Sequence, residues 1–461
     1  MSTSYHLERA WVDGAVRDDV LVTIEDGIFT SVTPLDGRPH SPGTAGPEEE
    51  PGAARHVGFS ALRLPGLSLP GLANCHSHAF HRALRGRTQR ERGTFWTWRE
   101  QMYAVAATLD PDSYFTLARA TYREMAAAGI TSVGEFHYLH HQPDGTPYDD
   151  PNAMGHALVE AAREAGIRIT LLDTCYLSSG FGRPVEGVQV RYADRDADAW
   201  AERTAELDKL GGREDGVVIG AAVHSVRAVP RDQLGTVARA AHGRPLHVHL
   251  SEQVAENDAC LAAYGVTPTQ LLADAGVLGP RTSAVHATHL TGDDVRLLGE
   301  TGTRSCFCPT TERDLGDGIG PSRDLHAAGS PLTLGSDSHA VIDLFEEMRA
   351  VELDERLATR ARGHWTAAEL LEAAAAAGHE SLGFWDAGRI AVGARADLVT
   401  LDTTTPRTAG TGADENTAVF AASAEDVSQV MVDGRVVVRR EDRAAIGREL
   451  DDAMGAIWRE R

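Results

Sequence analysis

Eight short apolar runs, rich in β-branched residues and separated by mostly helical patterns, occupy the chain between about residues 67 and 387: 69–75, 130–136, 167–172, 217–223, 245–250, 282–285, 303–307 and 331–335. Helical segments include 113–128, closed by Gly129, and 367–377, which opens on the capping box Thr366-x-x-Glu369 and stops at Gly378. A strand-then-helix unit repeated eight times predicts an α/β fold of the (β/α)8 barrel type, a TIM-type barrel, with a doubly wound sheet as the alternative.

Each run ends in polar residues able to do chemistry. His76 and His78 follow the first, Glu135 to Tyr138 the second, and Asp173 the third. His224 and Arg227 follow the fourth, His249 and Glu252 the fifth, and His286 and His289 the sixth. Cys308 follows the seventh, and Asp337 and His339 the eighth. A barrel gathers the C-terminal ends of its strands at one mouth, so these residues are expected to converge there.

The two ends of the chain read differently. Apolar runs flank Asp26-Gly27 near the start and Asp433-Gly434 near the end, the signature of tight β-hairpins. We therefore expect a second, small β-sandwich domain built from both termini: residues 1–66 and 388–461 around a barrel of 67–387. The stretch 37–54, rich in Pro, Gly and Glu, reads as a surface loop with a solvated Glu48-Glu49-Glu50 cluster.

Composition narrows the function. A net charge of −23 disfavours nucleic acid and anionic membrane as partners. No apolar run reaches membrane length, and the first residues carry no secretory pattern, so a cytoplasmic protein is expected. Lys209 is the lone lysine, in a polar helix-like run, which leaves Walker-type ATP binding and pyridoxal Schiff-base chemistry without their lysine. Five scattered cysteines make a poor disulfide framework and are read as reduced thiols.

His76-x-His78 sets two imidazoles on one side of an extended segment, as two ligands of one metal require. Among 20 histidines such a pair also arises by chance. With His249 from the fifth run and Asp337 from the eighth, it becomes a set of three nitrogens and one carboxylate, suited to zinc with room for water. His247 faces the same way as His249, and only the strand-end position favours His249. Glu252 lies beyond the strand, where a carboxylate is placed to carry protons; the competing reading is a surface helix cap. Cys306-x-Cys308 has no second pair and reads as buried small residues. The nucleobase-deaminase pattern H-x-E with P-C-x-x-C is absent, and Gly316, Gly318 and Gly320 fail the dinucleotide fingerprint at Pro321.

The HxH pair, His249-x-x-Glu252, His286, Gly335-Ser336-Asp337 and the tail Ala396-Asp397-Leu398-Val399 together resemble the amidohydrolase superfamily over nearly the whole chain. No lysine stands at a strand end to bridge two metals, which implies the mononuclear, deaminase-like branch. Within it the chain is similar to the formimidoylglutamate deiminases of histidine breakdown. That likeness rests on Asn74-Cys75-His76-Ser77-His78-Ala79-Phe80, Phe95-Trp96-Thr97-Trp98-Arg99-Glu100, the string from Thr131 to His141, and that from Pro309 to Gly318. Members of that family carry Gln after Ala-Phe, where this chain has His81; the departure bears on one polar substrate contact and not on the metal site.

The resemblance implies one Zn2+ per chain, with iron or manganese as the other candidates, and hydrolysis of N-formimidoyl-L-glutamate to N-formyl-L-glutamate and ammonia. It implies that Asp337 takes a proton from water, His286 stabilises the tetrahedral intermediate, and Glu252 protonates the departing nitrogen. For a dicarboxylate substrate the implied contacts are Arg99, Arg227, Tyr138, His224 and His81, arginine being suited to bidentate carboxylate binding. A homodimer is the expected assembly. The rival readings are another mononuclear deaminase acting on a nucleobase or related heterocycle, and a catalytically dead barrel used as a scaffold.

Overall fold

The computed structural model describes residues 2–35, 61–89, 92–93 and 95–459. The loop expected at 37–54 lies outside them. Eight parallel strands run in chain order around one sheet: Leu72–Ser77, Ile130–His137, Arg168–Cys175, Val217–Val223, Leu246–Leu250, Thr282–His286, Arg304–Phe307 and Leu332–Leu334. A parallel bridge between Ser77 and Asp337 joins the last strand to the first. The ring is therefore closed at the level of the predicted metal ligands. All eight expected strands are present, and they are buried almost throughout, as strands covered on both faces must be.

The first expected run, 69–75, is split. Its start belongs to Leu62–Pro70, a strand of the small domain, and Gly71 separates the two. A Cβ at Gly71 would lie 2.3 Å from Thr131 Oγ1 and 2.8 Å from Asp397 Cβ, so only glycine lets the chain cross between domains there. The helix expected over 367–377 also differs. It keeps its Thr366–Glu369 capping box but ends at Ala374, and a second helix, Ala376–Ser381, follows. Gly378 sits inside that second helix, where its missing side chain admits Ala73 and Cys75 of the barrel floor.

Outside the barrel, seven strands form one continuous sheet contributed by both ends of the chain: Thr3–Val12, Ala15–Glu25, Ile28–Pro34, Leu62–Pro70, Leu398–Leu401, Val427–Val432 and Arg435–Arg439. The expected small β domain built from both termini is thus present, its strands joined in a single hydrogen-bonded sheet, with Leu7, Val22, Phe29, Leu398 and Met431 in one shared core. Asp26-Gly27 and Asp433-Gly434 both take positive φ at their hairpin turns, as does Asp13-Gly14, which joins the first two strands. Arg168, at the start of the third barrel strand, clamps the sheet to the barrel by donating to Asp397 at 2.5 and 2.8 Å and to Asp433 at 2.5 Å. The last helix, Arg443–Arg459, leaves the sheet and packs Ile446, Leu450, Ala453 and Ile457 into the main core, with Arg123 of helix Pro111–Ala127 bonded to Glu449.

All five cysteines are buried and free, and Cys306 and Cys308 lie in the apolar floor with Ala73, Val285, Leu382 and Phe384. Lys209 pairs with Glu206 on the surface. Among the described residues no helix is long and apolar enough to cross a membrane.

Candidate active site

The first strand delivers His76 to the mouth of the barrel, and the eighth turns sharply to present Asp337. The amides of Ser336 and Asp337 both donate to the carbonyl of His76, at 3.1 and 2.9 Å, and the amide of His78 donates to the carbonyl of Asp337 at 3.3 Å. This ladder fixes three candidate ligands in one rigid unit. Gly335 makes the closure possible, because a Cβ there would lie 2.7 Å from His76 Cβ.

One ligand atom from each of His76, His78, His249 and Asp337 lies within 4.8 Å of the other three, and all four residues are buried. His76 Nε2 is 3.0 Å from His249 Nε2, and Asp337 Oδ1 is 3.4 Å from His76 Nε2 and 3.3 Å from His78 Nε2. The outer nitrogens decide what these contacts mean. His78 Nδ1 donates to the carbonyl of Phe136 and His249 Nδ1 to that of His224, each at 2.9 Å. A carbonyl only accepts, so in the neutral rings both Nε2 atoms carry lone pairs, that of His78 facing the Asp337 carboxylate and that of His249 facing His76 Nε2. Burial keeps His249 neutral and pushes His76 down to about 4. Burial raises the Asp337 carboxyl, but the imidazoles of His76 and His78 outweigh it and leave it well below the carboxylate range. Inward lone pairs and a carboxylate around one point fit a single cation that takes nitrogen and oxygen donors. His247, the alternative on the fifth strand, stays outside the cluster.

His286 is shifted oppositely to His76, His81, His224 and His249, which burial lowers. Burial alone would lower it, but Glu252, Glu312 and Asp337 overcome that effect and hold it well above the usual value. Its Nδ1 lies 3.3 Å from Glu312 Oε1, and its Nε2 faces Asp337 Oδ2 at 3.9 Å. Glu252 is half-buried, and burial raises its carboxyl. The site thus combines imidazoles that burial shifts toward the neutral form, one imidazole shifted toward its cation and a carboxyl shifted toward its acid form.

One pocket is lined by His78, His249, His286, Asp337 and Glu252, and also by Arg99 and Arg227. His81, Tyr138 and His224 complete the predicted set in its wall. His81 Nε2 is 2.9 Å from the Tyr138 hydroxyl, and the His224 ring packs on Tyr138 and Tyr176. Arg99 Nε donates to Tyr103 at 2.6 Å, and Gln189 donates to both Tyr103 and Tyr176 at 2.9 Å. A wider chamber continues from this pocket, sharing Arg99, Tyr103 and Arg227.

Several strand-end residues do not join the site. Asp173 is taken by Arg203, Trp200 and Thr204 in a buried network, beside which lie His137 and His140. Its side chain is saturated by those donors and does not line the pocket. His339 lies beneath the ligands, between Ser77 at 3.1 Å and Ser336 at 2.9 Å. Glu135 is also beneath them. It accepts from the Ser77 hydroxyl at 2.6 Å and the Ala79 amide at 2.7 Å, and burial pushes its carboxyl up to about 7. Glu312, Tyr176, Tyr192 and Glu256 are the contributors that the sequence reading missed. Glu312 lay in the Pro309 to Gly318 string, whereas nothing local distinguishes Glu256 from any acidic residue in a first helical turn.

The amidohydrolase family model matches residues 67–437. The chain belongs to the amidohydrolase family. It is 39% identical over 393 residues to a formimidoylglutamate deiminase of Pseudomonas aeruginosa, covering 82% of this chain and 86% of that one. An 8-oxoguanine deaminase of the same organism is 29% identical, covering 79% of this chain and 81% of the relative. Among solved structures, an amidohydrolase from Brucella melitensis superposes with a TM-score of 0.86 at 31% identity, covering 99% of both chains. An adenosine deaminase from Xanthomonas campestris with bound zinc shares the fold at a TM-score of 0.82 and 23% identity, over 99% of this chain and 98% of that one. As a family member this chain is a hydrolase with a mononuclear metal centre and a small-molecule substrate.

Proposed function

We propose that the protein hydrolyses N-formimidoyl-L-glutamate to N-formyl-L-glutamate and ammonia, with zinc as the resident ion. The observation that carries this reading is the pairing, in one pocket, of His78, His249 and Asp337 from the four-ligand cluster with two guanidiniums, Arg99 and Arg227. A linear amidine bearing two carboxylates matches both ends of that arrangement; a neutral heterocycle uses one. The similarity to the Pseudomonas enzyme supports the same choice.

His76, His78, His249 and Asp337 would hold the ion, which supplies Lewis-acid activation of a water near neutral pH. The remaining chemistry falls to side chains. Asp337 is the base that receives the proton of the attacking water, and its distance of 3.9 Å from His286 puts a cationic group beside it. As the carbon–oxygen bond forms at the formimidoyl carbon, His286 stabilises the tetrahedral intermediate. Glu252, held toward its acid form, protonates the terminal nitrogen. Asp337 then returns its proton to the same nitrogen, the carbon–nitrogen bond breaks and ammonia leaves, while the new hydroxyl gives its proton to the Glu252 carboxylate as the carbonyl of the N-formyl product forms. Arg99 and Arg227 hold the two carboxylates, and Tyr138, His81 and His224 shape the wall between.

Ammonia release from N-formimidoyl-L-glutamate, set against a panel of nucleobases and nucleosides, tests the proposal. Turnover of the amidine with kcat/KM at least about 100-fold above any ring substrate is expected, since a site built on charged partners rejects analogues lacking them by large factors. Preference for a purine or pyrimidine would overturn it in favour of a heterocycle deaminase.

A further inference from the structure

Arg227 is not a free guanidinium waiting at the pocket wall. Its Nε donates to Glu256 Oε2 at 2.6 Å, and Glu256 is only 3% exposed. The other oxygen of the same carboxylate accepts the amide of Ser251 at 3.1 Å. Ser251 has a φ of 51°, the left-handed region that a non-glycine residue occupies only when its surroundings hold it there. It stands between the metal-ligand candidate His249 and the proton-carrier candidate Glu252. Its carbonyl in turn accepts the amide of His289, on the loop that follows His286.

We propose that Glu256 is a positioning residue that sets substrate length, an inference that rests on the proposed function. In this proposal Arg227 receives the side-chain carboxylate of the substrate, and the Glu256 carboxylate ties it to the turn between His249 and Glu252. Glu256 takes up Nε of Arg227 and leaves the two terminal nitrogens, which have no protein hydrogen bond among the described residues, to face a ligand carboxylate as a planar pair. The span from that pair to the reacting carbon is thereby fixed, and it selects a dicarboxylate of one chain length. Both Glu256 oxygens act as acceptors here. In Glu256→Gln one of the two donors, Arg227 Nε or the Ser251 amide, must meet an NH2 group, so the isosteric variant breaks the tie without opening a cavity.

The test uses the metal-loaded full-length protein and reads binding apart from turnover. Calorimetry with N-acetyl-L-glutamate, a dicarboxylate without the reactive amidine, is run on wild type and Glu256→Gln, alongside its side-chain mono-amide. The expected result is a loss of at least about ten-fold in affinity for the dicarboxylate, on the scale of one hydrogen bond to a charged group, and less than about two-fold for the mono-amide. Metal content should be unchanged. In turnover, KM for N-formimidoyl-L-glutamate should rise by a similar factor while kcat changes less, and discrimination against the analogue one methylene shorter should narrow. Equal losses on acid and amide, or wild-type protein that binds no dicarboxylate, would overturn the inference. Wild-type protein that binds the dicarboxylate in a Glu256-dependent way but releases no ammonia from the amidine would overturn the proposed reaction and leave the positioning role standing.

Discussion

Gly335→Ala isolates the closure of the barrel at the metal site. Gly335 is not in the positive-φ region, so alanine meets no backbone penalty there and the effect is steric. The new Cβ would lie 2.7 Å from His76 Cβ and 2.9 Å from His76 N and O. Most of those atoms are backbone, held by the hydrogen bonds from Ser336 and Asp337, and none can swing aside as the end of a flexible side chain would. Reaching ordinary contact at 3.4 Å requires a shift of about 0.7 Å, beyond the roughly 0.5 Å within which a catalytic constellation must be held. Overpacking of this kind costs about 1–3 kcal/mol of stability. A ligand displaced by nearly 1 Å lowers kcat/KM by up to about 100-fold. The assay is metal content by elemental analysis together with kcat/KM and thermal midpoint. Gly292→Ala, at an exposed helix start with nothing within 4 Å of its Cβ, is the control and should change stability by no more than about 1 kcal/mol. Full metal occupancy and unchanged kcat/KM in Gly335→Ala would refute the claim that this contact fixes His76.

Glu252→Gln should retain metal and substrate affinity but lose about 100-fold or more in kcat, the scale of general acid catalysis. Burial raises the Glu252 carboxyl, so its acid form persists above the usual carboxylate range, and wild-type kcat should fall as pH rises through that value. The corresponding limb should be missing from the variant, and an unchanged pH profile would count against Glu252 as the acid. Arg203→Met should destabilise the protein by about 3–5 kcal/mol near neutral pH, because it strands the buried Asp173 and Asp194 carboxylates. Burial pushes both carboxyls up, but Arg203, aided on Asp194 by His141, outweighs it and leaves both well below their usual values. Groups depressed in the folded state stabilise it above their unfolded pKa, about 3.9, and lose that stabilisation as pH falls toward the folded values. The gap between wild type and Arg203→Met in denaturant midpoint should therefore narrow below about pH 4, and a constant gap would contradict the assignment.

The barrel was legible because each buried strand is a short apolar run with its polar residues at one end, and that pattern survives without knowledge of neighbours. The boundary at Gly71 was not, since the apolar run passes unbroken from the small sheet into the barrel and the reason for the glycine lies on Thr131 and Asp397. The terminal helix Arg443–Arg459 reads as amphipathic, but what it packs against is a tertiary fact. The cluster His76, His78, His249 and Asp337, which we propose holds the metal, was readable from strand-end positions. Asp173 satisfied the same rule and is instead consumed by Arg203, whose approach from helix Ala197–Glu206 no local pattern announces. Glu256 and Glu312 act only through the partners the fold brings to them, so residue type and spacing carried little trace of their roles.

On the proposed reading, a four-ligand metal centre and paired guanidiniums deiminate an N-formimidoyl dicarboxylate at its terminal nitrogen. The most direct measurement follows N-formimidoyl-L-glutamate labelled with 13C at the formimidoyl carbon through turnover by NMR, with ammonia quantified in the same sample. The predicted result is label appearing solely in N-formyl-L-glutamate, one ammonia per turnover, and no reaction in protein stripped of metal. Label in formamide with release of glutamate, or an inert amidine alongside rapid deamination of a nucleobase, would contradict it.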